Sequence, residues 1–441
     1  MIEKDKFFFR IFCVLFWISC TWGFVSEELL PFLLPIGPKV HLFCDLCYVI
    51  IGFCLYKDRK DFYYGFLSFL IIAFISTIIV NKESFITLFN GLREFIGILF
   101  GFPIIKYFLT CYKGEDYVKM FDRQLYAFLI IQAVCVPVQF IRYGAGDYVG
   151  GSFGNWNSGP LSTTIYMVVF YFVNKNWDDS KSYLLNIKAN LKYIILIFPS
   201  FLNETKISFI FLLIMFVLYN KIEVKSLLKI MLSVPLILIL LLGAFIGYLK
   251  ATDQEFDELT SSEFYENYLV GEDPEFALEL AEMYFDEEYD DIDQWSADVP
   301  RFTKILSMPS ALSDSKGGML LGAGAGQFKG GTQIELTKFA SGHKWFLNGT
   351  RPNVVFIVTQ IGIIGYIWFI LYMLRCLCFK NRRYARALNM KIYLLMVFIL
   401  HQPYIDAIRI VQFAMIYILL SLLVSVKDCK MALAAYDKNV R

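Results

Sequence analysis

The sequence predicts an all-helical protein that crosses a membrane many times, and three observations carry that prediction. Mean hydropathy is +0.54, with 57% apolar and 18% aromatic residues, well above what a water-soluble domain carries. The apolar residues fall in runs close to the roughly 20 residues that a spanning helix needs. Lys and Arg are also abundant in every second loop and scarce in the others. Hydrocarbon tolerates only helices and closed barrels, because every backbone donor and acceptor must be satisfied internally. Runs of this length select helices.

The apolar runs are 7–25, 38–56, 62–80, 85–109, 124–141, 161–173, 191–202, 207–219, 227–249, 353–374, 391–402 and 408–426, about twelve spans by the length rule. The chain then divides into residues 1–249 with nine spans, a large loop at 250–352 between the ninth and tenth, the last three spans within 353–426, and a tail at 427–441. Lys4-Asp5-Lys6 precedes the first apolar run without a small-residue cleavage pattern, which reads as an uncleaved first helix. Span 161–173 is short and can begin inside the preceding loop. The pair 191–202 and 207–219 is short and broken by Asn203-Glu204-Thr205-Lys206. The span at 391 is interrupted by His401-Gln402-Pro403, where proline removes a backbone donor, so a re-entrant or broken helix is expected.

With the N-terminus inside, the inner loops collect Lys57-Asp58-Arg59-Lys60, Lys106 to Arg123, Lys175 to Lys192, Lys221 to Lys229, Arg375 to Lys391 and the tail. The outer short loops hold only Lys39, Lys82, Arg142 and Lys206. The bias places both termini in the cytoplasm and the 250–352 loop outside. The ten cysteines avoid that loop, so disulfides do not hold it. Cys44-x-x-Cys47 lies in an apolar helix and reads as packing rather than redox or metal chemistry.

The loop is acidic in its first half, with no Lys or Arg between Lys250 and Arg301, and basic and Gly-rich in its second. Phe276, Leu280 and Met283/Tyr284 fall at helical spacing behind Pro274, which predicts a short amphipathic helix. The Asp/Glu run reads as a solvated face. Cation binding has no Asp-x-Asp-x-Asp-Gly pattern behind it, so no metal is expected. Gly322-x-Gly324-x-Gly326 lacks the Gly-Lys-Ser/Thr ending of a nucleotide loop and faces a compartment without ATP. Two readings remain for it, a flexible turn or a close backbone approach to a ligand phosphate. Asn203-Glu204-Thr205 and Asn348-Gly349-Thr350 match the glycosylation triplet by chance.

Charged groups within or beside the spans are the informative ones, because charge in hydrocarbon costs several kcal/mol unless paired or hydrated. Arg93-Glu94 falls mid-span, and adjacent residues on a helix do not face each other, so each needs its own partner. His401, Asp406 and Arg409 cluster at the outer ends of the last two spans. Asp406 and Arg409, three apart, can pair on one helix face. Glu204 and Lys206 cap the short hairpin, and Arg142 precedes Gly150 to Asn157. Taken singly, each reads as an ion pair or a snorkelling side chain. Taken together, they predict a cationic pocket at the outer surface, suited to a pyrophosphate because guanidinium grips phosphate oxygens in a bidentate fork.

Arg301-Phe302-Thr303-Lys304, followed by Gly317-Gly318-Met319-Leu320-Leu321-Gly322-Ala323-Gly324-Ala325-Gly326-Gln327-Phe328, resembles the "Arg … Gly-x-Gly-x-Phe" stretch in the large periplasmic loop of bacterial O-antigen polymerases and ligases. Pro352-Asn353 through Gln360-Ile361-Gly362-Ile363-Ile364-Gly365 resembles the helix after that loop. Glu204-Thr205-Lys206-Ile207-Ser208 is similar to the family's Ser/Thr-x-Arg at a short helix pair, with Lys206 in place of Arg. Gly151-x-x-Gly154-Asn155-x-Asn157 is similar to its outer Gly/Asn loop. The resemblance implies a GT-C-like membrane glycosyltransferase in the bacterial inner membrane. It would polymerise O-antigen or capsule repeat units, passing a glycan from undecaprenyl pyrophosphate to another lipid-linked unit, with no cofactor. Its partners would be that lipid-linked oligosaccharide, membrane lipid, and a chain-length regulator and flippase of the same pathway, with no nucleic acid. His343 lies ten residues before Asn353, whereas a ligase-type His would sit beside it, which favours the polymerase.

On that reading Arg301 is the foremost phosphate-side cation, followed by Arg351, Lys206 and Arg409, then Arg142. His343 and Glu204 are the candidate bases for the acceptor hydroxyl, and Asp406 and His401 line the substrate side. The alternatives are a ligase acting on the lipid A core of lipopolysaccharide, a flippase or transporter of the same lipid-linked sugars, and a scaffold without catalysis.

Overall fold

The computed structural model describes residues 2–55, 62–111, 114–144, 146, 148–155, 157–203, 207–219, 301–328, 337–347, 349, 351–377 and 386–425. Their secondary structure is helical. In chain order the helices are α1 (Ile2–Phe24), α2 (Gly37–Leu55), α3 (Ser68–Phe74), α4 (Phe85–Arg93), α5 (Ile96–Thr110), α6 (Gly114–Tyr143), α7 (Ser158–Lys175), α8 (Tyr183–Ile194) and α9 (Ile207–Tyr219). After the loop's described part come α10 (Arg301–Ser313), α11 (Gly318–Leu321), α12 (Lys338–Gly342), α13 (Lys344–Leu347), α14 (Asn353–Leu377), α15 (Ala387–Tyr404) and α16 (Val411–Leu423). π-helical turns flank α3 at Phe62–Leu67 and Ile75–Val80.

Among the described residues six helices are long and apolar enough to cross a membrane, with a seventh crossing if the bent pair α4–α5 counts as one. The remaining predicted spans form shorter or more polar helices packed among these, and 227–249 lies outside the described residues. Span 161–173 does begin inside the preceding loop, at Ser158. Residues 158–174 of α7 are buried throughout, which makes it a central post of the bundle. The long α14 leaves helical geometry at Gly362, where φ is +68°.

Two further expectations change. The 85–109 run is not one helix but is bent by 53° between α4 and α5, and Arg93-Glu94 sits at the bend. Conversely, His401-Gln402-Pro403 does not interrupt its helix. α15 runs on to Tyr404, and the break falls at 405–410. A proline in a last turn leaves a carbonyl that water or a neighbour can satisfy, so the helix ends just after it rather than at it.

α16 packs along α5. Gly97 and Gly101, one turn apart, form the seam: a Cβ on Gly97 would lie 3.0 Å from both Ala414 Cβ and Val411 Cα, and one on Gly101 3.4 Å from Met415 Cγ. Small residues at this spacing let two membrane helices approach closely.

Polar contacts sort the helix ends into two sets. Tyr107 Oη, near the end of α5, donates to Asp5 Oδ1 at the start of α1. Lys175, at the end of α7, pairs with Asp122 near the start of α6, and Arg386, just before α15, pairs with Asp179, just after α7. At the opposite end, Arg142 closing α6 pairs with Glu28, and Thr163, in the second turn of α7, meets His401 in the last turn of α15. Arg351 before α14 meets Asp406 after α15. These are the two groups into which the alternating Lys/Arg pattern divides the chain.

Candidate functional site

The site is built where α14 begins and α15 ends. Pro403 and the extended Ile405 turn the chain out of α15, and a short 3-10 turn at Ala407–Arg409 leads into α16. Asp406 heads that turn and is 4% exposed. Its backbone N–H donates to Arg351 O at 2.8 Å, which ties the turn to the stretch leading into α14. Asp406 Oδ2 lies 2.7 Å from Arg409 Nε and 3.3 Å from Arg351 Nε. The i, i+3 pairing of Asp406 with Arg409 that the sequence predicted is therefore present, with Arg351 sharing the same oxygen. Glu94 also acts on Arg409 electrostatically.

Aromatic rings hold the guanidinium groups. Arg351 Cζ sits 4.7 Å from the Phe328 ring centre, and Arg301 Cζ lies 4.6 Å from that of Tyr404, two residues before Asp406. Cation–π contact orients a guanidinium without consuming its hydrogen-bond donors. Arg351 Nη1 donates to Leu347 O at 3.2 Å. Arg301, Arg351 and Arg409, from three separate stretches of sequence, thus gather on the Tyr404–Arg409 segment. Glu94 is 4% exposed. It is directed there by the α4–α5 bend, while Arg93 on the other side of the bend is held by Asp45 at 2.9 Å. Each of the adjacent charges has its own partner, as helix geometry requires.

Of the other predicted residues, Arg142 and His343 lie elsewhere, whereas His401 sits in the last turn of α15. Arg142 pairs with Glu28 at 2.7 Å, and Tyr143 Oη donates to the same Glu28 oxygen at 3.2 Å. Arg142 is thus anchored to the first span rather than to Asp406. His401 lies between the rings of Phe211 and Phe413. Its Nδ1 donates to Val397 O at 2.9 Å, and Nε2 is 3.3 Å from Thr163 Oγ1. It lines a small cavity with Asn353 and Gln402. Asn353 Nδ2 donates to Gln402 Oε1 at 3.0 Å. His343 stacks on Phe339, donates from Nδ1 to that residue's carbonyl at 3.0 Å, and meets Asp314 with Nε2 at 3.2 Å. Both of its ring nitrogens are engaged in the loop. Glu204, Lys206 and the acidic half of the loop lie outside the described residues. Among those described, no group of three or more His, Cys, Asp or Glu could hold a metal.

The Gly-rich loop is neither a flexible turn nor a phosphate cradle. Residues 322–327 are buried. Ala323 N–H donates to Thr359 O at 2.7 Å, Ala325 N–H to Thr77 Oγ1 at 2.8 Å, and Gly326 N–H to Gln360 Oε1 at 2.7 Å. Those amides are spent inside the protein. The glycines do permit a close approach, but of backbone: a Cβ on Gly326 would lie 2.2 Å from Thr87 O. The Gly151–Gly154 loop is held in the same way, with Gly151 N–H on Gln139 Oε1 at 2.6 Å and Ser152 N–H on Gln132 Oε1 at 2.9 Å.

Sequence reasoning passed over Tyr404 and Glu94 as members of the site. The signal for Glu94 was a charge placed mid-span beside Arg93. Tyr404 carried no signal, being one aromatic residue among many. No protein-family model matches the chain, and no curated protein is similar to it at a significant level.

Proposed function

We propose that this chain is a glycan polymerase of the outer face of the bacterial inner membrane, moving an O-antigen or capsule repeat unit from undecaprenyl pyrophosphate to another lipid-linked unit. The observation that carries the reading is the gathering of Arg301, Arg351 and Arg409 on the Tyr404–Arg409 segment at one end of the helix bundle. Placing that end outside rests on the Lys/Arg bias of the loops. The GT-C-like, roughly twelve-span arrangement and the pathway partners come from the sequence resemblance.

The chemistry fits the residues. The acceptor hydroxyl oxygen bonds to the anomeric carbon, the carbon–phosphate oxygen bond breaks, and the pyrophosphate leaves with the bonding pair. Its new charge falls to the guanidinium groups, which are already oriented by Asp406 and the two rings. The hydroxyl proton goes to a base. Glu204 remains a candidate for that role. His343, with both nitrogens engaged, would first have to exchange a partner. A second reading, ligase, draws on one observation: His401 shares its cavity with Asn353, the neighbourhood where a ligase-type His would sit.

Surface-glycan ladders on a gel test this. R301A and R351A each leave single repeat units attached, with chain extension reduced on the order of 10²–10³-fold for the loss of one transition-state donor. Lipid-linked polymer left unattached would identify a ligase, and units trapped inside a flippase. Normal ladders from both variants would remove these arginines from the site.

A further inference from the structure

Three cations at the inner end of the bundle are paired: Lys175 with Asp122, Lys181 with Asp178 and Arg386 with Asp179. Lys188 and Lys192, one turn apart on α8, have no carboxylate partner among the described residues, and α8 itself carries neither Asp nor Glu. This helix turns its polar side inward. Asn186 and Asn190 face the bundle, 1% and 0% exposed, while Leu184, at 78%, Leu185 and Leu191 face away from it. At about 100° per residue both lysines fall within the arc set by those leucines, and both are exposed. They therefore leave the protein on its lipid-facing side. Asn186 Nδ2 donates to Asp178 O at 2.8 Å, and Asp178 N–H donates to Asn186 Oδ1 at 2.9 Å. These bonds moor the start of α8 to the turn after α7, beside the Asp179–Arg386 pair. Side chains on a helix lean towards its N-terminus, so both ammonium groups are carried back towards the inner headgroup layer. Lys192 Nζ lies 4.9 Å from the Tyr193 ring centre, and Tyr193 stacks on Phe172 of α7 at 4.7 Å. That contact steadies the side chain and leaves its donors available.

We propose that Lys188 and Lys192 form a binding site for the headgroup phosphate of an anionic phospholipid in the inner leaflet. Side chains on neighbouring turns of one face are close enough to share a single phosphodiester, and the leucines on either side lie along its acyl chains. Positive charge at the edge of hydrocarbon is costly unless it is paired or hydrated. A zwitterionic headgroup brings a cation of its own to such a site, whereas an anionic one neutralises the lysines, so the site favours net negative lipid. It is independent of the glycan reaction and requires only that α8 begin at a headgroup layer.

The test is native mass spectrometry of the purified full chain titrated with dioleoylphosphatidylglycerol or dioleoylphosphatidylcholine. The wild type binds phosphatidylglycerol more tightly. The double variant K188Q K192Q loses about thirtyfold of that affinity, the effect of two charges at a membrane surface, and approaches the value for phosphatidylcholine. The double variant K188R K192R keeps the preference. K181Q removes a cation that Asp178 already holds and leaves phosphatidylglycerol binding nearly unchanged. Thermal unfolding in phosphatidylcholine alone is the same for all of these chains, because the substituted side chains are exposed. Equal binding of the two lipids by the wild type, or full phosphatidylglycerol affinity in K188Q K192Q, overturns the site. A loss in K181Q as large as in the double glutamine variant overturns it too, since the lipid would then be answering to diffuse surface charge.

Discussion

Asp406 is the residue on which the site turns, because one carboxylate oxygen fixes two guanidinium groups from different stretches of the chain. Removing one partner of a buried ion pair costs on the order of 3–5 kcal/mol. The cost here is smaller, since the Arg409 side chain is 38% exposed and water screens it. D406N should therefore lower the melting temperature of the purified chain and also collapse the glycan ladder, because Arg351 and Arg409 lose their common anchor. R142A is the contrasting variant. Its guanidinium is 53% exposed and held by Glu28, so its ladder should stay closer to wild type than that of R351A. Equal collapse in both would show that the two ends of the predicted pocket act as one site.

At the scale of elements, the Gly-rich loop is a wedge rather than a ligand loop. It lies against the π-helical turn at Ile75–Val80, the start of α4 and the middle of α14. Ser76 Oγ donates to Leu321 O, and Asn81 Nδ2 donates to Gly322 O at 2.8 Å. Gly326 has φ +99° and no room for a Cβ, whereas Gly144 has φ +78° with nothing within 4 Å. G326A should destabilise the chain on the order of 3 kcal/mol, from left-handed strain plus overpacking. G144A should cost about 1 kcal/mol, from strain alone. Thermal unfolding in detergent, read by size-exclusion fluorescence, checks the difference. A phosphate cradle would give the reverse pattern in one respect, with G326A impairing pyrophosphate binding at unchanged stability.

For the whole molecule, the two sets of helix-end contacts make a statement about sides. Asp5, Asp122, Lys175, Asp179 and Arg386 share one end of the bundle, and Glu28, Arg142, Arg351 and Asp406 the other. Alkaline phosphatase fused after Gly144 should be active outside the cell membrane, and the same enzyme fused after Asn176 inactive. Matching activity from both fusions would mean that α7 does not cross, and reversed activities would put the arginine cluster in the cytosol and overturn the proposed reaction at the outer face.

By itself the sequence determined the class of the protein and its charge logic. Run length and composition dictate membrane helices because hydrocarbon leaves the backbone no other way to bond, and the spacing of Asp406 and Arg409 was enough to pair them. The early start of α7 was legible too, since Ser158-Gly159-Pro160 leads directly into the run at 161–173 and a proline is well placed in a first helical turn. Only the tertiary structure decided which cations share a carboxylate, that His343 and Arg142 keep other company, and that the glycines admit backbone instead of phosphate. Local spacing fixes neighbours on one helix, whereas Arg301, Arg351 and Arg409 meet across long separations in the chain. Their meeting depends on how helices stack, and that is set by packing surfaces which no short motif encodes.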